Sequence, residues 1–230
     1  HSPRMLVAER VVDELVAAVR AWTPDPDAAG AGARLVEAAR VLEGWDRTAA
    51  AQSRGGVLFK EWERLYAAAI DTARFFREPW TKERPMETPV GLGEPEAAVA
   101  ALYAAVDSLE ARGWALDVPW GDVHRVIRGG VDEPVSGCEP TLGCFRTLSF
   151  EDTADGRRAA NRGDAWVFAV EFGEVPRGYS VLAYGQSPKE DSPHHADQAA
   201  LFARGEMKPI AWTEADIRAR TIRRYRPGRE

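Results

Sequence analysis

The chain has 230 residues, 45% of them apolar and 29% charged, with a net charge of −6 and eight Trp. That is material for one ordinary core, and the aromatic content excludes a disordered tail. The acidic balance argues against nucleic-acid binding, two Cys are too few for a disulfide-dense scaffold, and no apolar run approaches the ~18 residues of a membrane-spanning helix.

The opening HSPRMLVAER shows no charged-then-apolar leader. From Met5, apolar or small residues recur at Ala8, Val12, Leu15, Val19 and Trp22, the spacing of one helix face. Pro24 and Pro26 stop that helix, and DPDAAGAG is expected to be a loop. A second helix carries Leu35, Val36, Ala39 and Leu42 and ends near Gly44. A third has a wide apolar stripe of Leu58, Phe59, Trp62, Leu65, Tyr66, Ala69 and Ile70, with Lys60, Glu61, Glu63 and Arg64 expected to face elsewhere. The stretch from Arg77 to Pro95 reads as a Pro-rich loop. A fourth helix, with Val99, Leu102, Val106 and Leu109 on one face, runs between Pro95, which suits a first helical turn, and Gly113, which suits a stop.

After Gly113 the texture changes to Gly, Pro and β-formers. Strands are expected over Trp120–Arg128 and Cys144–Phe150, and Asp155-Gly156 is a hairpin-type turn signal. Trp166, Phe168, Val170 and Phe172 alternate with Val167, Ala169 and Glu171, the period of a strand with one strongly apolar face. Tyr179–Tyr184 repeats the pattern. Ser192 and Pro193 read as the start of a helix through Phe202, Thr213 with Asp216 as a weaker capping arrangement, and TIRRYR as a closing strand. The fold class is therefore α+β, a helical lobe over residues 1–113 followed by a β-rich part over 114–230.

His194 and His195, with Asp197 nearby, invite a metal hypothesis, but adjacent helical residues point about 100° apart and seldom grip one ion. A packed polar ring near a helix start is the better expectation. Cys138 and Cys144 flank EPTLG and form either a local disulfide or two free thiols; zinc would need two more ligands. His124 and Asp122 share a face if their segment is a strand, which suggests a structural His–Asp pair rather than a catalytic one. Arg218, Arg220, Arg223, Arg224, Arg226 and Arg229 form a basic end, expected to be a solvated edge or an arm paired with carboxylates of a larger body. There is no G-x-S-x-G elbow and no phosphate-binding loop. By these arguments the chain has no self-sufficient active site, which suggests a fragment or subunit.

Several segments in order carry a family resemblance: LEGWD, SRGGVLFKEWERL, GDVHRV, RGGVDEPVSG, GDAWVFAVEFG and the long string from Val181 to Trp212. Together they resemble the C-terminal part of the β-subunit of the penicillin acylase family, nearest the aculeacin A acylases and N-acyl-homoserine lactone acylases. The YGQS…SPH…DQ…LF…KP pattern, Tyr184 to Pro209, is the most specific piece. The resemblance implies the C-terminal portion of an αββα N-terminal-nucleophile hydrolase, made by self-cleavage of one precursor. In that family a Ser at the β N-terminus attacks an amide carbonyl, its own α-amine acting as base. An α-amine has a pKa of about 8, so it can accept the hydroxyl proton near neutral pH. Backbone N–H groups and an Asn hold the oxyanion, and water releases the acid.

This chain departs from that pattern by beginning with His1, and Ser2 is followed by Pro and a helix rather than a strand. The resemblance therefore implies that no catalytic residue lies here: the nucleophile Ser and oxyanion Asn belong upstream, in partner segments comprising the α-subunit and the N-terminal part of the β-subunit. Arg10, in the AERV setting, is the carry-over candidate for supporting the site, with Arg4 its rival by register. Asp197 and Gln198 are expected to make structural hydrogen bonds. No cofactor is implied in this chain, and the family's calcium uses residues outside this stretch. The expected ligand is a small N-acyl amide, with no nucleic acid and no membrane partner. The expected location is periplasmic or secreted, which a Cys138–Cys144 disulfide would suit. The rival function is a non-catalytic scaffold or binding domain.

Overall fold

The computed structural model describes residues 2–22, 29–226 and 228. The expected stop at Pro24 and Pro26, His1 and Arg229 lie outside the described residues. Contacts divide the chain into two compact units, residues 1–127 with 132–163, and residues 128–131 with 164–230. The change of texture at Gly113 falls inside the first unit.

The first unit is built on four helices: α1 (Leu6–Ala21), α2 (Ala29–Gly44), α3 (Gly56–Ala69) and α4 (Pro95–Ala111). Their apolar stripes meet in one cluster, with Leu15, Leu35, Leu42, Leu58, Phe59, Trp62, Tyr66, Leu102 and Leu109 essentially removed from water. Pro95 opens α4 at its first turn, and Arg112 and Gly113 close it by bonding the carbonyls of Leu109 and Glu110. Val36 is 53% exposed, so the inner stripe of α2 is Leu35, Ala38, Ala39 and Leu42. Glu61 also departs from expectation. It is buried, because Arg64 (2.6 Å) and Ser108 (2.7 Å) both bond its carboxylate.

The Pro-rich loop is tied at its base by a short antiparallel pair, β1 (Phe76–Glu78) and β2 (Val90–Leu92). Glu14 of α1 holds this pair down, accepting from Arg77 at 2.6 Å and from the Leu92 amide at 3.0 Å. These contacts, the Arg77 bond foremost, hold the Glu14 carboxyl below its ordinary range.

Trp120–Arg128 is not one strand. Trp120–Val123 forms a helical turn (α5), and β3 (His124–Arg128) begins after it. Pro119 precedes that turn as its cap, and the Trp120 and Gly121 amides are bonded to the Ser53 and Ala51 carbonyls. β3 lies in a four-stranded sheet of order β4-β3-β6-β5, with β4 (Val131–Pro134), β5 (Leu148–Asp152) and β6 (Arg158–Gly163). The β5–β6 hairpin turns at Asp155-Gly156 as expected, with Gly156 at φ 84°. β5 starts at Leu148 rather than Cys144, because residues 138–144 form a closed loop around a 3-10 turn (Pro140–Leu142). Gly143 closes that turn at φ 79°, and a Cβ there would sit 2.9 Å from the Leu6 side chain. Glycine thus lets the loop press on the start of α1.

The second unit carries a three-stranded sheet of order β7-β8-β9, formed by β7 (Trp166–Glu171), β8 (Arg177–Leu182) and the two-residue β9 (Lys208–Pro209). The helix expected from Ser192 instead begins at Ala199, as α6 (Ala199–Arg204). The Ser192 hydroxyl accepts the His194 amide as a cap would, but the His194 carbonyl accepts from the Ser187 amide and the Gln198 amide bonds the Tyr184 carbonyl, so the helical ladder does not continue. Thr213 and Asp216 do form a reciprocal capping box on α7 (Glu214–Arg220). The closing strand expected at TIRRYR is absent: residues 221–226 are irregular, β9 being too short to template another strand.

Candidate functional site

Arg10 and Arg4 are not equivalent. Arg10, on the second turn of α1, donates from Nη2 to the Met86 carbonyl at 2.7 Å and from Nη1 to the Glu87 carbonyl at 3.2 Å. Arg4 turns back on its own segment and donates from Nε to Glu9 at 2.8 Å. Between α1 and the Pro-rich loop lies a cleft of about 310 Å³, walled by Leu6, Val7, Trp80, Pro85, Met86 and Pro89. Leu6 is 52% exposed, Trp80 58% and Met86 84%. The Thr88 hydroxyl at the rim is committed to the Arg84 carbonyl and the Thr81 amide. The cleft can take apolar groups, but the guanidinium beside it is spent on holding the loop. Replacing Arg10 by Ala is expected to destabilise that loop by about 1 kcal/mol, read as faster limited proteolysis near Met86. Arg4→Ala should leave the rate unchanged, and equal effects from both would contradict the assignment.

His124 is buried and Asp122 exposed, so the two do not pair. The helical turn at Trp120–Val123 removes the shared strand face. His124 Nδ1 lies 3.2 Å from the Trp120 carbonyl, its ring stacks on the Trp120 indole with centroids 3.6 Å apart, and Phe150 meets it edge-on. Nδ1 is therefore the protonated nitrogen, and Nε2 has no hydrogen-bond partner among the described residues. Burial, with Arg158 and Lys60 nearby, pushes the imidazolium well below the ordinary histidine range, so the ring is neutral. The void beside it, shared with Lys60, Glu61 and Arg158, is only about 10 Å³. No substrate fits there. Lys60 and Glu139 pair nearby at 3.2 Å. This is a polar seam within a core.

His194 and His195 diverge. His194 Nδ1 meets Asp197 Oδ2 at 2.9 Å on the surface, whereas His195 Nδ1 is buried and its carbonyl accepts from Arg128. Among the described residues no group of three or more His, Cys, Asp or Glu is placed together. Gln198 accepts the Leu182 amide through Oε1 at 3.1 Å, so it stitches β8 to the start of α6. Cys138 and Cys144 are joined, with sulfurs 2.01 Å apart, which closes the EPTLG loop. In the basic end, Arg218 pairs with Glu214, Arg220 donates to the Pro209 carbonyl, and Arg223 lies over the Tyr225 ring.

The penicillin amidase family model matches residues 1–219. This chain belongs to the penicillin amidase family. An acyl-homoserine lactone acylase PvdQ of Pseudomonas fluorescens is 32% identical over 192 residues, which is 81% of this chain and 24% of that protein. The aculeacin-A acylase of Actinoplanes utahensis is 32% identical over 221 residues, 94% of this chain and 27% of that protein. A thermostable penicillin G acylase from Alcaligenes faecalis is similar in structure, with TM-score 0.46 and 18% identity over 98% of this chain and 47% of that one. The chain spans about a quarter of the length of the curated relatives it matches. Both relatives fall in the branch that the segment order pointed to.

In penicillin amidase family terms, the match takes in all the motifs that the sequence singled out except the last arginines beyond residue 219. The cleft residues Trp80 and Met86 went unremarked in the sequence because they sit in an aperiodic segment. Their exposure is the signal, and only coordinates reveal it.

Proposed function

We propose that this chain is the framework part of an N-acyl amide hydrolase, a β-subunit segment whose attacking Ser and oxyanion Asn lie in another chain or segment of one precursor. The observation that carries this is the family match over residues 1–219 by a chain a quarter as long as relatives named acyl-homoserine lactone acylase and aculeacin-A acylase. The chemistry within the chain agrees. Arg10 holds loop carbonyls, His124 is neutral and sealed, the cysteines are bridged, and His194 is paired on the surface. In the assembled enzyme the Ser hydroxyl adds to the amide carbonyl while its own α-amine takes the proton. The amine leaving group departs with a proton, and water then cleaves the acyl ester to the free acid. The substrates are N-acyl amides: a β-lactam side chain, an acyl-homoserine lactone or a lipopeptide. Export to the periplasm or medium suits the bridged cysteines.

The test is purification of the complete polypeptide followed by intact mass and hydrolysis assays on penicillin G, an N-acyl-homoserine lactone and an N-acyl lipopeptide. A co-purifying chain beginning with Ser is expected, with turnover that falls at least 1000-fold when that Ser becomes Ala. Turnover by residues 1–230 alone would overturn the proposal.

A further inference from the structure

One hydrogen-bonding atom of His124 is left over by the fold. Trp120 stacks on a face of the ring, Phe150 meets it edge-on with centroids 4.6 Å apart, and Nδ1 is committed to the Trp120 carbonyl. Nε2 remains, in a residue only 1% exposed, with no partner among the described residues. Since Nδ1 carries the proton, Nε2 presents a lone pair and needs a donor. A sealed polar atom left unpaired is costly, so buried acceptors of this kind are nearly always satisfied.

The void at this ring lies within the first unit, where α3, the end of α4 and the first residues of β3 and β6 meet. Val57 and Leu109 give it an apolar wall, and Lys60, Glu61 and Arg158 a polar one. The parallel register of β3 and β6 sets Arg158 beside His124. Lys60 is drawn to Glu139 at 3.2 Å and Arg158 to Asp152 at 3.4 Å, and neither cation bonds Nε2 directly. The size, about 10 Å³, is at the lower limit of the ~10–15 Å³ that holds one water. Charge and size exclude the other small ligands. The two cations repel a metal ion, and an anion finds a lone pair at Nε2 where it needs a donor. Dry cavities are apolar, and this one is not.

We propose that this void is the site of a single buried water molecule that donates to His124 Nε2 and accepts from the Lys60 ammonium or the Arg158 guanidinium. Its second hydrogen has the Glu61 carboxylate among the lining groups, which completes the three bonds typical of an internal water. The bridge links α3 to the β3–β6 pair, so it is part of how the helices seat on the four-stranded sheet. The inference is independent of the proposed function, because it concerns the interior of this chain and no reacting group.

The test is a crystal structure of the complete protein at a resolution that shows ordered water, from crystals with and without a sodium bromide soak. The expected result is one density peak within about 3.2 Å of His124 Nε2, as well ordered as the side chains around it, with a second hydrogen-bond partner in Lys60 or Arg158. The bromide-soaked crystals are expected to give no anomalous signal at that position. A void without density overturns the proposal, as does a Lys60 or Arg158 side chain that itself reaches Nε2. An anomalous bromide peak there overturns it in favour of an anion site.

Discussion

Replacing Trp62 by Ala is expected to lower the stability of the helical unit by about 4 kcal/mol. Trp62 is fully buried, stacks on Tyr66 at 5.2 Å, tilts against Phe59 at 5.2 Å and meets Phe75 edge-on. Its indole N–H donates to the Ala98 carbonyl at 3.0 Å, which ties α3 to α4. The loss combines burial, a cavity that four packed helices cannot close, and one hydrogen bond. Trp62→Phe separates these contributions, since it keeps most of the apolar volume and loses chiefly the bond. It is expected to cost about 1–2 kcal/mol. Urea unfolding followed by circular dichroism at 222 nm checks both, and similar losses from the two variants would contradict the packing account.

The second large effect is acid sensitivity set by His124. Burial holds its folded-state pKa well below the ordinary value of 6.5, which it regains on unfolding. Below that value the unfolded chain binds a proton that the folded chain refuses, so stability falls as pH falls. One such proton costs up to about 1.4 kcal/mol per pH unit. The contribution is complete above about pH 7 and declines from there toward the folded-state value. Glu63 runs the opposite way, since burial above all raises its carboxyl, with Glu139 adding to the rise and Lys60 opposing it. Its stability is present below the ordinary carboxylate value and is lost as pH rises through the raised one. The measurement is the urea midpoint from pH 7.5 to 5.5, for the parent and for His124→Phe. The parent's slope is expected to exceed the variant's by nearly one proton. Parallel slopes would show that another group sets the acid limb.

The helices of the first unit were legible because their signal is local. Met5, Ala8, Val12, Leu15 and Val19 fall at helical spacing and are all buried, and the Pro95 and Gly113 boundaries rest on backbone chemistry that any context respects. The errors share a cause. Trp120–Arg128 is too short for period to separate a turn from a strand, and the contacts that decide it come from Ala51 and Ser53, far away in sequence. Ser192-Pro193 is a sound helix start by composition, but the Gln198 amide goes to the Tyr184 carbonyl and not to that of His194. Glu61 looked like a solvated charge, and its burial depends on Ser108 of a different helix.

The candidate site divides the same way. Order and spacing of short motifs, carried by the chain alone, place it in the penicillin amidase family, because such patterns record which residues a family's core and turns require. Which arginine reaches the loop, that His124 is sealed and uncharged, and that β7 turns Trp166 and Phe168 outward were settled only by the folded arrangement. Each of those facts depends on contacts between segments distant in sequence, or on their absence, and an alternating strand reads identically whether its apolar face is covered or bare.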